Sequence, residues 1–345
     1  KKLSMAPWLL RYDQAKAWPK MFERFDFLSK SESKLMNGLM PQFAGRIKMT
    51  MKEKPPKGLH PILQEILKEC PKELKQDWKV ENILTGATKV GAYKSVHRFA
   101  QHPSKGNVDP ELSTKVLEVM DFLLRDVLGE SDILSKEECI EDSDLKKSAG
   151  GLWSLVYGDK KTLYTEEADF IRKVWEEFLV DGTYWSWLGE RTKTNELRNI
   201  EKIMEDKLRS ILAVDGIHVL FSKQFMLDLH RKILKADYHM TNMCIGTTFF
   251  YGGMNRLAQY LGRHAKGWEF DVGKMDANLH SWIILMLGDF LFSMLKKKFQ
   301  TSVNRMRWKH LLHMLIMSPL IMEDGYVFLK GLAALGGNPS GQFLT

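Results

Sequence analysis

The stretch Trp268-Glu-Phe-Asp-Val-Gly-Lys-Met-Asp-Ala-Asn-Leu-His280 decides the fold. Its first half alternates, so Trp268, Phe270 and Val272 share one face of a strand while Asp271 emerges on the other. Gly273 ends the strand. Asp276 then stands just before Ala277 to Leu295, a run apolar enough to read as a buried helix, which gives Asp276 an N-cap position. Capping explains Asp276 as readily as any chemistry does. Asp271 is different, because a strand carboxylate flanked by Trp and Phe is costly to bury without a partner, and a hard divalent cation is one of the few good partners. A strand-end carboxylate beside a helix start is a candidate metal site.

Around this stretch the chain has the composition of an ordinary globular protein, with 345 residues, 44% of them apolar and 27% charged. Cys70, Cys139 and Cys244 are too few and too scattered for a disulfide framework or a zinc site, which points to a reducing compartment. A formal net charge of +8 favours an anionic partner. Ser281 to Leu295 is the candidate membrane span, but it falls short of the roughly 20 residues a bilayer needs and carries Asp289 near its middle. A core helix is expected there and no transmembrane segment. The chain opens on Lys1 without a signal peptide and is expected to be a portion or processed product of a longer protein.

Residues 1 to 60 are basic and contain Pro55-Pro56, which reads as an arm or linker. Pro110 to Leu128 reads as an amphipathic helix, with Leu112, Val116, Val119, Met120 and Leu123 at helical spacing and Gly129 as its stop. Gly91 to Phe99 interleaves aromatic and basic residues, a pattern that suits RNA but more often marks the wet and dry faces of one helix. Thr165 to Leu179 reads as a helix capped by Thr165 that buries Phe170, Val174 and Phe178. Glu323-Asp-Gly325 between two apolar stretches signals a tight hairpin.

Three further stretches carry chemistry. Ser148-Ala-Gly-Gly-Leu-Trp153, followed by Gly158-Asp-Lys-Lys161, is a Gly-rich turn before a basic patch, and small residues there allow close backbone approach. Lys193-Thr-Asn-Glu-Leu-Arg-Asn-Ile-Glu-Lys-Ile-Met-Glu-Asp-Lys-Leu-Arg209 alternates charge so densely that, alone, it reads as an exposed, salt-bridged helix. Gly337-Asn-Pro-Ser-Gly-Gln-Phe-Leu-Thr345 alone reads as a Pro-containing turn.

Taken in order, these stretches resemble the RNA-dependent RNA polymerases of positive-strand RNA viruses, over residues 148 to 345. Tyr251-Gly-Gly-Met254, Glu269-Phe-Asp271 and Gly-Asn-Pro-Ser-Gly-Gln-Phe resemble the astrovirus branch of the picornavirus-like supergroup. The resemblance implies an α+β right-hand fold with helix-rich fingers and an incomplete palm. It implies a basic arm over 1–60, fingers over 61–265, a palm strand and helix over 266–300, a fingers insertion with a hairpin over 301–335, and the start of a second palm motif over 336–345. The thumb and a Gly-Asp-Asp motif would lie beyond Thr345, so the chain alone is expected to be inactive.

The implied reaction is nucleotidyl transfer from a nucleoside triphosphate to an RNA 3′-hydroxyl, with magnesium or manganese held by Asp271, the catalytic carboxylate. Arg198, Lys202, Lys207 and Arg209 would grip the triphosphate, since Arg offers bidentate forks and Lys a mobile charge to phosphate. Asp276, Ser340 and Thr345 would meet the ribose. Ser148, Ala149, Gly150 and Gly341 would line the template, Gly341 also serving as a hinge. One departure concerns Thr194-Asn-Glu196, where relatives often have Lys-Asp-Glu, and it leaves the role of Lys193 open. Implied partners are template and product RNA, nucleoside triphosphates and other viral replication proteins, in the host cytoplasm or at its membrane-associated replication sites. A reverse transcriptase would share the palm, but the Asp-x4-Asp spacing and Ser340 argue against it. A non-catalytic helical RNA-binding protein would bind RNA without divalent metal.

Overall fold

A computed structural model of the chain describes residues 43–46, 51–57, 65–66, 68–71, 82–97, 109–205, 207–236, 253–262 and 279–329. Asp271, Asp276, Ser340, Gly341 and Thr345 lie outside the described residues, as does Cys244. Helices dominate, and two sheets organise them.

The larger sheet has five strands in the order β1 (Phe43–Arg46), β7 (Tyr326–Leu329), β6 (Pro319–Ile321), β3 (Leu188–Thr192) and β5 (Ser210–Val214). Only the β3–β6 pair is parallel. The smaller sheet pairs β2 (Asn82–Leu84) with β4 (Leu197–Asn199). The stretch expected as an arm or linker therefore supplies, where described, an edge strand, and Lys54 and Lys57 bridge to Ala87 and Leu84 beside the smaller sheet. The hairpin expected at Glu323-Asp-Gly325 joins β6 to β7, with Gly325 at φ 89° and its N–H donating to the Met322 carbonyl.

Helices build the larger hydrophobic core. Helix α1 (Lys89–His97) packs on β3 and β5, while α2 (Pro110–Leu128), α3 (Gly216–Lys235), α4 (Ser281–Ser293) and α5 (Ser302–Met317) enclose Leu128, Phe221, Phe225, Phe292 and Trp308. Aromatic rings interlock here, with Trp175–Phe221 and Phe225–Trp308 centroids each 5.2 Å apart. Asp109 caps α2 by accepting from the Glu111 and Leu112 amides, and Pro110 starts it. Helix α2 meets the core from Leu117 onward. Leu124 and Leu128 are buried there, while Leu112, Val116 and Val119 face outward.

The expectations for the helices fare differently. In α1 the preferred reading of a helix with a dry face holds at Tyr93, which is buried and donates its hydroxyl to Asp324 at 2.9 Å, while Phe99 lies outside the described residues. The helix expected to begin at Thr165 begins at Lys160, capped by Asp159, and continues through Ala168–Lys173 into a π-helical turn over Val174–Phe178. Helix α4 begins at Ser281, after an extended His280; Asp276, read in the sequence as the N-cap of this apolar run, lies outside the described residues. As expected, α4 is a core helix: Trp308 Nε1 donates to the Gly288 carbonyl at 2.8 Å, and Asp289 faces Arg305 at 3.5 Å. Among the described residues no helix is long and apolar enough to cross a membrane.

Candidate functional site

The charged stretch 193–209 is not one exposed helix. It is the crossover between β3 and β5, built from β4, the short helix Ile200–Met204 and two turns. Asn195 takes φ 59°, a conformation that Asn tolerates better than most residues, and Asn199 caps the short helix by accepting from the Glu201 amide. These turns fold the basic residues onto one carboxylate. Glu196 lies 3.5 Å from Lys193 Nζ and accepts from Arg198 Nε at 3.2 Å and from Arg209 Nη1 at 3.1 Å. Arg198 also donates to the Lys207 carbonyl at 2.7 Å, which ties the two ends of the crossover together.

Of the four expected triphosphate residues, Arg198 is mostly covered, with 16% of its side chain exposed, whereas Arg209 shows 64%. Lys207 is exposed and pairs with Glu205, and Lys202 is exposed on the short helix. Lys193, whose role the sequence leaves open, belongs to the Glu196 cluster. The arrangement holds Arg198 and Arg209 in place while leaving the Arg209 fork accessible to an anion.

Beneath the cluster lies a buried acid. Leu188, Glu190 and Thr192 share the inward face of β3, and Glu190 is fully buried, accepting from Ser210 Oγ at 2.5 Å and Thr192 Oγ1 at 3.3 Å. Burial raises the Glu190 carboxyl from 4.5 to about 7; the neighbouring Glu323 adds to the rise, and the Ser210 and Thr192 hydroxyls and Arg191 oppose it. A carboxyl raised on folding stabilises the protein fully below its unfolded value and loses that contribution as pH climbs through the folded one. From 4.5 to about 7 the loss amounts to about 3 kcal/mol. Glu190→Gln, which stays neutral, is therefore expected to match the parent in urea denaturation near pH 5 and to exceed its stability at pH 8. Equal pH dependence of the two proteins would show that Glu190 is not the titrating group.

The Gly-rich turn sits at the other end of β5. Ser148 is exposed and its hydroxyl accepts from the Gly150 amide, while Ala149 and Gly150 are buried. The turn is clamped to the β5–α3 junction, with Gly216 N–H donating to the Ala149 carbonyl at 2.8 Å and Gly151 N–H to the Ala213 carbonyl at 3.3 Å. Asp215 fastens the same joint: it caps α3 through the Ile217 and His218 amides and accepts from Trp153 Nε1 at 2.9 Å and the Tyr184 hydroxyl at 2.8 Å. Burial raises its carboxyl to about 6 against these hydrogen bonds. Of the three expected template residues here, only Ser148 faces outward; Ala149 and Gly150 dock the loop. Since β5 rises roughly 3.4 Å per residue, the length of the strand Ser210–Val214, about 14 Å, stands between the cation cluster and this loop.

The viral RNA-dependent RNA polymerase family matches residues 59–345. The chain belongs to this family. Among similar proteins, the non-structural polyprotein 1AB of Ovine astrovirus 1 is 25% identical over 151 residues, covering 44% of this chain and 11% of that protein. The genome polyprotein of Beet mosaic virus is 26% identical over 223 residues, covering 62% of the chain and 7% of the polyprotein. The polymerase chain thus spans about a tenth or less of these curated relatives. In fold it is similar to the Sicinivirus 3Dpol RNA-dependent RNA polymerase, with a TM-score of 0.56 at 17% identity over 70% of this chain and 51% of that one. The α+β right-hand polymerase fold expected from the sequence is the fold observed.

Within this polymerase chain the structure brings Arg198, Lys207 and Arg209 together with Lys193 around the crossover and sets Ser148 at the far end of β5. Among the described residues no group of three or more His, Cys, Asp or Glu gathers to hold a metal ion, and Asp271 lies outside them. Glu190 and Asp215 are not singled out in the sequence. The one available signal was the i, i+2 placement of Glu190 with Leu188 on an inward strand face.

Proposed function

We propose that the chain is the fingers and first palm segment of a polymerase that copies RNA, transferring nucleotides from triphosphates to an RNA 3′-hydroxyl. The reading rests on the cation cluster gathered by Glu196 at one end of β5 and the docked Gly-rich loop at the other, in a chain of this family. Arg209 and Lys207 would meet the β- and γ-phosphates and Arg198 would hold the loop that carries them, with Lys202 at the margin. Ser148 would touch the template backbone. Asp271 would hold magnesium or manganese, which when bound activates the attacking hydroxyl and stabilises the departing pyrophosphate. Asp276, Ser340 and Thr345 offer a carboxylate and two hydroxyls to a ribose 2′-hydroxyl, which both donates and accepts, and Gly341 would give the neighbouring template path its hinge. Replication of a positive-strand RNA genome in the host cytoplasm, with other viral replication proteins, is the corresponding setting.

Arg209→Ala tests this reading in a polymerase that carries this chain together with the remaining motifs of the family. Loss of a charge-assisted contact costs about 1.5 to 3 kcal/mol, so kcat/KM for nucleotide should fall roughly 10- to 150-fold, with template affinity nearly unchanged. A change confined to template affinity would remove Arg209 from the triphosphate site.

A further inference from the structure

The crossover that gathers the cations is itself gripped by a residue far away in sequence. Thr85 follows β2 and is almost wholly buried, at 1% exposure. Its backbone N–H donates to the Glu196 carbonyl at 2.8 Å, and its carbonyl accepts from the Asn195 amide at 2.9 Å. Its hydroxyl donates to the Lys193 carbonyl at 3.1 Å and accepts from the Glu196 amide at 3.0 Å. One residue thereby satisfies four backbone groups of Lys193–Glu196, the turn in which Asn195 adopts its left-handed conformation.

Three further contacts continue the grip. The antiparallel register of β2 on β4 sets Ile83 opposite Arg198 and Leu84 opposite Leu197. On the far side, Lys94 Nζ donates to the Glu205 carbonyl, and the Ser210 amide donates to Ser95 Oγ at 3.2 Å. Both ends of the crossover are thus braced by residues 82–97, which the sequence does not connect with the chemistry.

We propose that Thr85 is a positioning residue for the triphosphate site, fixing the Lys193–Glu196 turn so that the Glu196 carboxylate presents Arg198 and Arg209 as one preassembled cation pair. The proposal rests on the reading of that cluster as the triphosphate site. The physical reason is reorganisation: Glu196 orients the two guanidinium groups only while its own backbone is held, and a turn free to shift would have to be reordered each time an anion binds. Thr85 does not itself reach the anion. The turn has no fixed partner for the Glu196 amide other than the Thr85 hydroxyl among its described hydrogen bonds. Valine at this position keeps the shape of the side chain and both backbone bonds while removing the hydroxyl, and serine keeps the hydroxyl.

The test is ATP binding with magnesium by the 345-residue chain, measured by calorimetry for the parent, Thr85→Val, Thr85→Ser and Arg209→Ala. Thr85→Val should weaken ATP binding about 3- to 10-fold, the range expected for hydroxyl-to-backbone hydrogen bonds lost from a buried turn. Thr85→Ser should restore most of it, and affinity for a single-stranded oligoribonucleotide should stay unchanged. Should Arg209→Ala weaken ATP binding while Thr85→Val does not, Thr85 is only a structural residue and the proposal is overturned. If Arg209→Ala leaves ATP binding intact, the triphosphate reading fails and the proposal falls with it. Hydrogen exchange on the unsubstituted chain gives a measure independent of any variant's folding: ATP should slow exchange of the Thr85, Asn195 and Glu196 amides together with the 198–209 segment. Protection restricted to 198–209 would equally overturn the proposal.

Discussion

Gly150→Ala is expected to lower stability by about 2 to 5 kcal/mol, summing the cost of a non-glycine residue at positive φ and of a hard steric clash. Gly150 has φ 72°, and a Cβ built there would lie 1.7 Å from the Val214 carbonyl oxygen, a backbone atom that cannot rotate away. The displaced loop would have to give up the Gly216 to Ala149 hydrogen bond and leave the end of β5. Gly158 supplies an internal control, because it shares φ 72° but has nothing within 4 Å of the corresponding Cβ. Gly158→Ala should therefore carry only the conformational cost, about 1 to 2 kcal/mol. Urea denaturation of the two variants separates the terms; equal losses would mean that the close approach of the Ser148–Gly151 loop to β5 is not what Gly150 provides. In an active polymerase the Gly150 variant should also lose template affinity at temperatures where it remains folded.

Asp271→Asn should have the largest effect on activity. In a polymerase containing this chain and the family's later motifs, incorporation should drop at least about 1,000-fold while the circular dichroism spectrum is retained, because Asn preserves size and removes the charge a divalent ion requires. Near-normal turnover by a folded Asp271→Asn enzyme would remove Asp271 from the metal site.

How much of this was legible in the sequence follows from what kind of signal each residue leaves. Arg198, Lys207 and Arg209 announce themselves because phosphate needs positive charge and their spacing fits the family, yet the same charge alternation also fits an exposed helix. Periodicity could not distinguish that helix from a crossover whose turns depend on Asn195 and Asn199. Glu323-Asp-Gly325 was readable as a hairpin because Gly325 is needed at positive φ. That Asp324 would turn inward to Tyr93 was not, since that contact spans 231 residues. Thr85 is the clearest case of illegibility. Its partners are mainly backbone groups about 110 residues away, and a peptide N–H or carbonyl leaves the same trace at every position. The start of α4 was illegible for a different reason: apolar composition marks where a helix is buried but not where it starts, and α4 starts at Ser281.

The pairing of β1 with β7 governs the order in which this protein can assemble. Phe43 faces Phe328 across that ladder, so the first strand of the sheet waits for a partner made 285 residues later. At the roughly 5 to 20 residues per second of protein synthesis, that interval is about 15 to 60 seconds, long against the microseconds in which hairpins and helices form. During it the β3–β5 hairpin and α3 can already fold, since their contacts are local in sequence, whereas the β1 edge stays unpaired. Among the described elements the sheet is therefore the last to close during translation, and its β1 edge stays open to other chains until Leu329 has left the ribosome.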